Sequence, residues 1–377
     1  MNLSPLKIVP FGFFRGLFTR YCKARFLGLH PTFLLLHLTD RCNCRCTMCH
    51  IWKKKEITDI PLSEYKRIFR DPLWKKLRIL SLTGGEPFLR TDLKDVVQLA
   101  IESFPHLERI SLPSNGLLTR RIVETTREIM EILPGRIYFK IGISLDGPGE
   151  VHDAMRGVPG AFQKAVQTIR ELQKIPHPNF GVGILALFAP ENIPALRETD
   201  KIFDSLTDQI SWTLISQSEF FGNLEEENEI YSSREKEEIL GFIRGELIPR
   251  FPEKAYLYHK YRDHLLKKRR TYPCLAGYRS SYIDGQGNLL PCHYLGKEFA
   301  FTNVLEEKGG LERAWFSKEA RELRKRMEKN PYCRNCSNNC DSRNLIQEDF
   351  WNFFSYLLTH PLIPVRALFK KKKKGVK

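Results

Sequence analysis

The sequence predicts an α/β fold: a partial (β/α)6 barrel followed by a small C-terminal domain made of a β-hairpin plus a helix and bearing cysteines. Three observations predict it. Between residues 31 and 215, apolar strand-like runs alternate with helix-like stretches six times, and such alternation builds a parallel sheet. At 377 residues the chain exceeds one average domain. From Ser232 to Lys268 it turns charged and helix-like, and cysteines reappear beyond, which marks a change of domain.

The elements follow in order. Phe33 to Leu38 is an apolar run after Pro31, read as the first strand, with a helix from Ser63 to Arg70. Strand Leu77 to Leu82 precedes helix Leu93 to Phe104, and strand Leu107 to Leu112 precedes helix Thr119 to Leu133. Strand Ile137 to Ser144 precedes helix Ala161 to Gln173, and strand Phe180 to Phe188 precedes a helix from Ile193 to Leu206. Ile210 to Ile215 is the sixth strand. Near the end, Asp284-Gly285-Gln286-Gly287-Asn288 lies between apolar residues and reads as a hairpin turn, with a helix from Leu311 to Arg326. The expected domains are a basic amphipathic segment (1–30), the barrel (31–245), the cysteine-bearing domain (246–345) and an aromatic, Lys-rich tail (346–377).

The formal net charge of +16 is concentrated at the ends. Residues 1–30 hold five Lys/Arg and no acid, and residues 351–377 hold seven and no acid. The ordinary charge of the body argues against a nucleic-acid groove. At the N-terminus aromatic residues such as Phe13, Phe14 and Phe18 interleave with Arg15, Arg20 and Lys23; at the other end Trp351 to Phe369 runs into Lys370 to Lys374. Aromatics beside lysines suit an anionic membrane surface. There is no apolar run of about 20 residues to span a bilayer, and no secretory signal pattern. The expected location is cytoplasmic, peripheral at the inner face of the membrane.

The ten cysteines fall mostly in two tight groups and a spaced pair, which suits metal binding better than disulfide stapling. Cys42, Cys46 and Cys49 follow the first strand with the spacing Cys-x3-Cys-x2-Cys. Three thiolates on one loop can hold three irons of a cubic cluster and leave the fourth open. Zinc is the competing reading, with Cys44 or His50 as a fourth ligand. Barrel chemistry collects at the C-terminal ends of strands, and those ends are polar here. The second carries Thr83-Gly84-Gly85-Glu86-Pro87, where glycines allow a ligand close to the backbone and Glu86 offers an acceptor for an ammonium group. The third carries Ser114-Asn115-Gly116; the fourth carries Ser144-Leu145-Asp146-Gly147, then His152 to Gly157.

In order, placement and spacing these motifs resemble those of the radical S-adenosylmethionine (SAM) enzymes, over about residues 31–215. The resemblance implies that Cys42, Cys46 and Cys49 hold a [4Fe–4S] cluster whose fourth iron is chelated by SAM. It implies that Gly84, Gly85 and Glu86, with Pro87, receive the methionine amino group. Ser114 and Asn115 count among the SAM-contacting positions. Ser144 and Arg156 would hold the carboxylate or ribose, with Asp146 assisting. Met48 stands where the family often places an aromatic residue by the adenine, and the backbone around Leu185 flanks it. One electron from a donor such as flavodoxin or ferredoxin would cleave SAM to a 5′-deoxyadenosyl radical that abstracts hydrogen from the substrate.

The second cysteine set is Cys274-x12-Gly287-x4-Cys292, then Cys333-x2-Cys336-x3-Cys340. By itself it reads as a zinc ribbon. Beside the first domain it resembles the SPASM/twitch extension of radical SAM enzymes. That implies one auxiliary [4Fe–4S] cluster on Cys274, Cys292, Cys333 and Cys336, with Cys340 as an alternate. His293 and Asp284 are candidate bases, against plainer roles as a hydrogen-bonding neighbour and a turn residue. Cys44 is read as a bystander inside the motif, and Cys22 stands apart. The expected activity is hydrogen abstraction from a lipid-linked or sugar-linked substrate, with a peptide or protein side chain as the alternative. A non-catalytic zinc or iron–sulfur protein is the alternative of another class. Only about 30 residues precede the first strand, which argues against a leader-binding domain on this chain.

Overall fold

A computed structural model describes residues 29–336, apart from 58, 219, 224–228, 252–253 and 268–273. Both basic ends, Cys22 and Cys340 lie outside the described residues. The alternation expected from sequence is present: β1 (Phe33–His37), α1 (Leu62–Phe69), β2 (Ile79–Thr83), α2 (Leu93–Ser103), β3 (Arg109–Ser114), α3 (Thr119–Ile132), β4 (Tyr138–Ser144), α4 (Gly149–Arg156), α5 (Ala161–Gln173), β5 (Phe180–Phe188), α6 (Leu196–Leu206) and β6 (Ile210–Leu214). All six strands pair in parallel with their sequence neighbours; Phe33 lies opposite Ile79 and Ile184 opposite Ile210.

Strand residues alternate between the two faces of the sheet. On β1, Leu34 and Leu36 are fully buried, while Leu35 packs on the other face against Phe220, Tyr282 and Leu290. Beneath the helices Tyr65, Phe69 and Phe104 form a chain of ring contacts at 5.3 and 4.9 Å. Burying each such side chain contributes roughly 1.5–3 kcal/mol.

Beyond β6 come α7 (Ser233–Phe242), which runs on through a π-helical turn to Arg250, and α8 (Ala255–Lys267). A capping box starts α7: Ser232 Oγ accepts from Glu235 N, and Glu235 Oε2 accepts from Ser232 N at 2.7 Å. The expected hairpin follows as β7 (Ser280–Ile283) and β8 (Asn288–Leu290), then β9 (Thr302–Asn303), α9 (Leu311–Phe316), α10 (Lys318–Lys329) and α11 (Pro331–Asn335).

The hairpin does not stand apart from the barrel. Strand β7 pairs in parallel with β1, Phe33 opposite Ser280 and Leu35 opposite Tyr282. The sheet therefore reads β6-β5-β4-β3-β2-β1-β7-β8-β9 and stays open. An exposed edge on β1 would leave a row of unpaired backbone groups, and β7 covers it. Among the described residues two compact units result: 29–230 with 275–329, and 231–274 with 330–336. The hairpin expected in the cysteine-bearing domain thus joins the barrel's own sheet. Asp71 fastens α9 to the barrel by accepting from Leu311 N (2.7 Å) and Glu312 N (3.0 Å).

Two elements differ from the sequence reading. Helix α4 occupies a stretch read only as polar turns; it buries His152 and Met155 and ends at Gly157, whose φ of +63° is left-handed. The helix expected over Leu311 to Arg326 is two helices, divided at Ser317, whose hydroxyl accepts from Ala320 N (3.0 Å).

Candidate active site

The cysteine loop lacks strand or helix through Cys49, so its main chain must find partners elsewhere. The end of β2, the end of α4 and Phe221 supply them. Leu38 N donates to Thr83 O (2.8 Å), Gly85 N to Thr39 O (2.7 Å) and Glu86 N to Arg41 O (2.8 Å). Arg45 N donates to Arg156 O (2.9 Å), Thr47 N to Met155 O (3.0 Å) and His50 N to Phe221 O (2.7 Å). Side chains add two ties: Asn115 Nδ2 to Asn43 Oδ1 (2.7 Å) and Asn223 Nδ2 to the half-buried Met48's O (3.1 Å).

This bracing gives the two glycines a role the sequence did not reveal. A Cβ on Gly84 would lie 2.4 Å from Thr39 O, and one on Gly85 would lie 2.2 Å from Arg41 O. What their missing side chains admit is the cysteine loop itself. Glu86 is likewise drawn into the scaffold. Its buried carboxylate accepts from Ser114 Oγ (3.0 Å), Asn115 N (2.7 Å) and Phe88 N (3.2 Å). Burial pushes its pKa up to about 7, against those three donors. Pro87 then opens a short 3-10 turn that Glu86 caps.

At the end of β4, Asp146 is fully buried and binds Arg156 Nη2 at 2.6 Å. Its Oδ1 accepts from Leu187 N (3.1 Å). Arg156 Nη1 reaches Cys46 Sγ at 3.7 Å. Burial opposes the Arg156 charge, but Asp146 and the neighbouring thiols outweigh that and raise its pKa. Ser144 pairs with Leu185 across β4 and β5, so both hold places on the same rim.

Sequence reading missed three supports. His152 Nδ1 accepts from Asp146 N (3.1 Å). Asn192, fully buried just past β5, donates from Nδ2 to Asp146 O (2.7 Å) and Leu187 O (2.7 Å). Asn223 ties the 218–223 turn to the cysteine loop. Asn192 was open to discovery by the same strand-end rule that singled out Asp146.

The thiols suit iron ligation. Cys44, 2% exposed, sits between Cys42 and Cys46 and hydrogen-bonds both. Those bonds hold the Cys44 thiol protonated and lower its partners. Cys42 falls below its ordinary value, and Cys46 falls to about 6 through Cys44 first and the charge of Arg156 next. Burial pushes Cys49 up to about 12. Among the described residues no group of three or more His, Cys, Asp or Glu side chains is arranged around a single ion. A cubic cluster takes one sulfur at each of three separate corners, which asks for a wider set. Cys42, Cys46 and Cys49 stand on one braced loop, the first two lowered toward the thiolate, and fit as the residues that would hold it, with Cys44 as a thiol donor among them.

Of the second set, Cys274, Cys333 and Cys336 belong to one compact unit and Cys292 to the other. Cys274 is exposed and the other three are half-buried. Cys292 lies two residues past β8, and Cys333 lies on α11 with Cys336 just after it. Asp284 holds the hairpin turn: Oδ1 accepts from Gln286 N (2.9 Å) and Asn288 N (2.8 Å), and Oδ2 from Asn288 Nδ2 (2.8 Å). Both oxygens thus accept hydrogen bonds within the turn, and Asp284 also lines a cavity together with His293. His293 stands in an aromatic group with Phe220 at 5.5 Å and Tyr282 at 6.0 Å between ring centres.

An open parallel α/β barrel with a three-thiol loop at its strand ends places that loop where barrel enzymes keep their chemistry, and its spacing suits an iron–sulfur cluster. Comparison with known families makes the class specific: residues 36–201 match the radical SAM superfamily, and residues 274–340 match the SPASM iron–sulfur cluster-binding domain. The chain thus carries a radical SAM domain and a SPASM domain, which imply SAM, a [4Fe–4S] cluster and auxiliary iron–sulfur binding as its cofactors.

Among curated proteins it is 23% identical over 287 residues to the antilisterial bacteriocin subtilosin biosynthesis protein AlbA of Bacillus subtilis, covering 74% of this chain and 58% of that one. The chain thus spans less than two thirds of that relative's length. Among solved structures, anSMEcpe with bound AdoMet superposes with a TM-score of 0.61 at 17% identity, over 91% of this chain and 97% of that one. Streptococcus suis SuiB bound to its precursor peptide SuiA gives 0.56 at 17% identity, over 88% and 76%. These likenesses support the fold.

Proposed function

We propose that this protein is a radical SAM maturase that modifies a side chain of a peptide or protein. The observation that carries this is the extent of the likeness to a bacteriocin biosynthesis protein. It covers 287 residues, more than the 36–201 barrel match can hold, so it reaches beyond the barrel motifs shared by unrelated chemistries. When bound, the cluster and SAM supply a 5′-deoxyadenosyl radical for hydrogen abstraction. The chain's own contribution is placement. The Gly84–Glu86 turn fixes the cysteine loop, Arg156 sets a charge between Asp146 and Cys46, and Asn192 holds the Asp146 main chain. Preorganised groups of this kind position reactants and exclude water, while the cofactor carries the chemistry.

The test is anaerobic reconstitution of the full chain, followed by incubation with SAM, a reductant and a displayed peptide library. Two cubic clusters predict about eight irons per chain. The expected result is peptide-dependent 5′-deoxyadenosine together with loss of hydrogen from the recovered peptide. Stimulation by polyprenyl-linked sugars but by no peptide would overturn the peptide reading in favour of a lipid-linked substrate.

A further inference from the structure

At the C-terminal ends of β1 and β7 lies a cavity of about 270 Å³. Pockets for whole small molecules take roughly 300–1,000 Å³, so this one suits a single side chain. Its buried walls are Phe220, Tyr282, Leu290 and Leu295. The rings of Phe220, Tyr282 and His293 meet nearly at right angles, with centres 5.5 to 6.0 Å apart and interplanar angles of 73–79°. Parallel pairing of β7 with β1 sets Tyr282 opposite Leu35, two residues before His37. Side chains two apart share a face, and a hydrogen bond of 3.3 Å between the Tyr282 hydroxyl and His37 Nδ1 fixes the tyrosine ring. Cys49 packs against the same apolar group as Phe220, Tyr282 and Leu290, so the cavity backs onto the cysteine loop. The polar lining carries both signs without balancing them. Lys54 Nζ donates to Asp40 Oδ1 at 2.8 Å, and those two charges offset each other. Asp284, Lys297 and Glu298 remain, an excess of one carboxylate. Asp284 accepts its hydrogen bonds inside the hairpin turn. Glu298 is exposed, and among the described residues its carboxylate has no hydrogen bond or ion pair.

We propose that this cavity is a subsite for a cationic side chain, lysine or arginine, of the substrate peptide. Aromatic faces attract cations, the more so where water is excluded. Long cationic side chains also bury their alkyl stems on apolar surface while the charged end keeps polar company. Here the stem lies along Leu290 and Leu295, and the charged end meets the faces of Phe220 and Tyr282 with Glu298 as its counter-charge. A neutral aliphatic side chain would fill the same walls and leave the carboxylate excess unanswered. An acidic one would meet Asp284 and Glu298 with like charge. Phe220, Tyr282 and Glu298 thus determine specificity and take no part in hydrogen abstraction. The subsite rests on the maturase reading for the peptide that carries the side chain.

Two measurements test it on the reconstituted full chain. The first needs no turnover: the Nα-acetyl N-methylamides of lysine, arginine and norleucine are titrated onto the protein, with binding read by saturation-transfer NMR. The lysine or the arginine amide should bind about fivefold more tightly than the norleucine amide, and the tighter of the two names the side chain. Glu298→Lys, a change at an exposed position, should abolish that preference. Phe220→Leu, which keeps an apolar wall and removes a ring face, should reduce it by about threefold; if that variant does not fold, Glu298→Lys decides. Equal binding of all three amides, or a preference unchanged in Glu298→Lys, overturns the subsite. The second uses the library peptide that most raises wild-type 5′-deoxyadenosine formation, beside a copy with its Lys and Arg replaced by norleucine. The copy should raise KM by about fivefold and leave kcat within about twofold. An unchanged KM, or a best peptide that contains neither Lys nor Arg, overturns the subsite. If no peptide stimulates the wild type, the peptide reading fails and the amide titrations alone decide for or against the subsite.

Discussion

Replacing Gly85 by Ala tests how the cysteine loop is held. The new Cβ would stand 2.2 Å from Arg41 O and 2.7 Å from Arg41 C, both backbone atoms, and Cβ atoms essentially never come within 3.0 Å of such a neighbour. The loop would have to retreat by most of an ångström. That retreat stretches the bonds from Gly85 N to Thr39 O and from Glu86 N to Arg41 O, now 2.7 and 2.8 Å. Losing both costs about 1 kcal/mol each, and forcing an extra methyl into packed structure adds about 1–3 kcal/mol. A loss of about 3–5 kcal/mol is expected, felt first in the loop three residues before Cys42 and at its neighbours. The assay is iron bound after anaerobic reconstitution, read with the thermal unfolding midpoint. Gly241→Ala is the control: Gly241 lies inside α7 with nothing within 4 Å of its would-be Cβ, and the change should raise stability by roughly 0.5–1 kcal/mol. Full iron loading and an unchanged midpoint in Gly85→Ala would refute the idea that this contact sets the loop.

Three further outcomes are expected. Burial, with Arg156 nearby, pushes His152 from 6.5 down to about 4; the unfolded chain binds its proton first, so the stability His152 contributes is present above about pH 6.5 and lost as pH falls toward 4. That loss is on the order of 3 kcal/mol, and His152→Asn, which keeps an acceptor for Asp146 N, should flatten this limb in urea titrations run across the range. Cys42→Ala, Cys46→Ala and Cys49→Ala should each abolish 5′-deoxyadenosine formation, while Cys44→Ala should keep its iron; loss of iron in Cys44→Ala alone would reassign the ligands. The basic ends are proposed to hold the protein to anionic membrane, so liposomes rich in phosphatidylserine should float the full chain better than one lacking 1–28 and 350–377, and equal flotation would end that proposal.

The six-step alternation was legible because buried parallel strands read as apolar runs between helix-period stretches. Boundaries shifted by at most three residues, as at β2, expected from Leu77 and found from Ile79, and at α6, expected from Ile193 and found from Leu196 after a 3-10 turn. Helix α4 was hidden for a physical reason: eight residues between Gly147–Pro148 and Gly157 give too few turns to show a period, and its polar residues resemble a loop. Pairing of β7 with β1 was hidden because no local pattern encodes a contact between residues some 250 positions apart. The same distance hid the approach of Tyr282 to His37, since neither residue signals the other. At the site, cysteine spacing pointed to the loop and strand-end position to Asp146. The partners of Glu86 were illegible because a carboxylate beside two glycines looks the same in sequence whether it meets a ligand or its own scaffold.

Charge explains why those scaffold contacts are needed. Cys42 and Cys46 are both lowered toward the thiolate, with Asp146 and Glu86 close by. Arg156 is the cation that touches this group directly, at Asp146 and at Cys46. Negative charges gathered in a partly buried mouth repel one another strongly, since little water screens them. The chain answers in two ways. It spends three donors on Glu86, whose pKa still stands at about 7, and it holds Arg156 between the carboxylate and a thiol. The excess that remains suits a mouth built for cationic partners: the irons of a cluster and the ammonium and sulfonium of SAM would offset it. Removing Arg156 should therefore weaken the empty protein more than the loaded one, because in the loaded state it is no longer the main counter-charge. Thermal midpoints of Arg156→Met and wild type, each measured with and without reconstituted iron and SAM, would show this as a gap that narrows on loading; a gap that widens would mean that Arg156 serves the bound cofactor more than the fold.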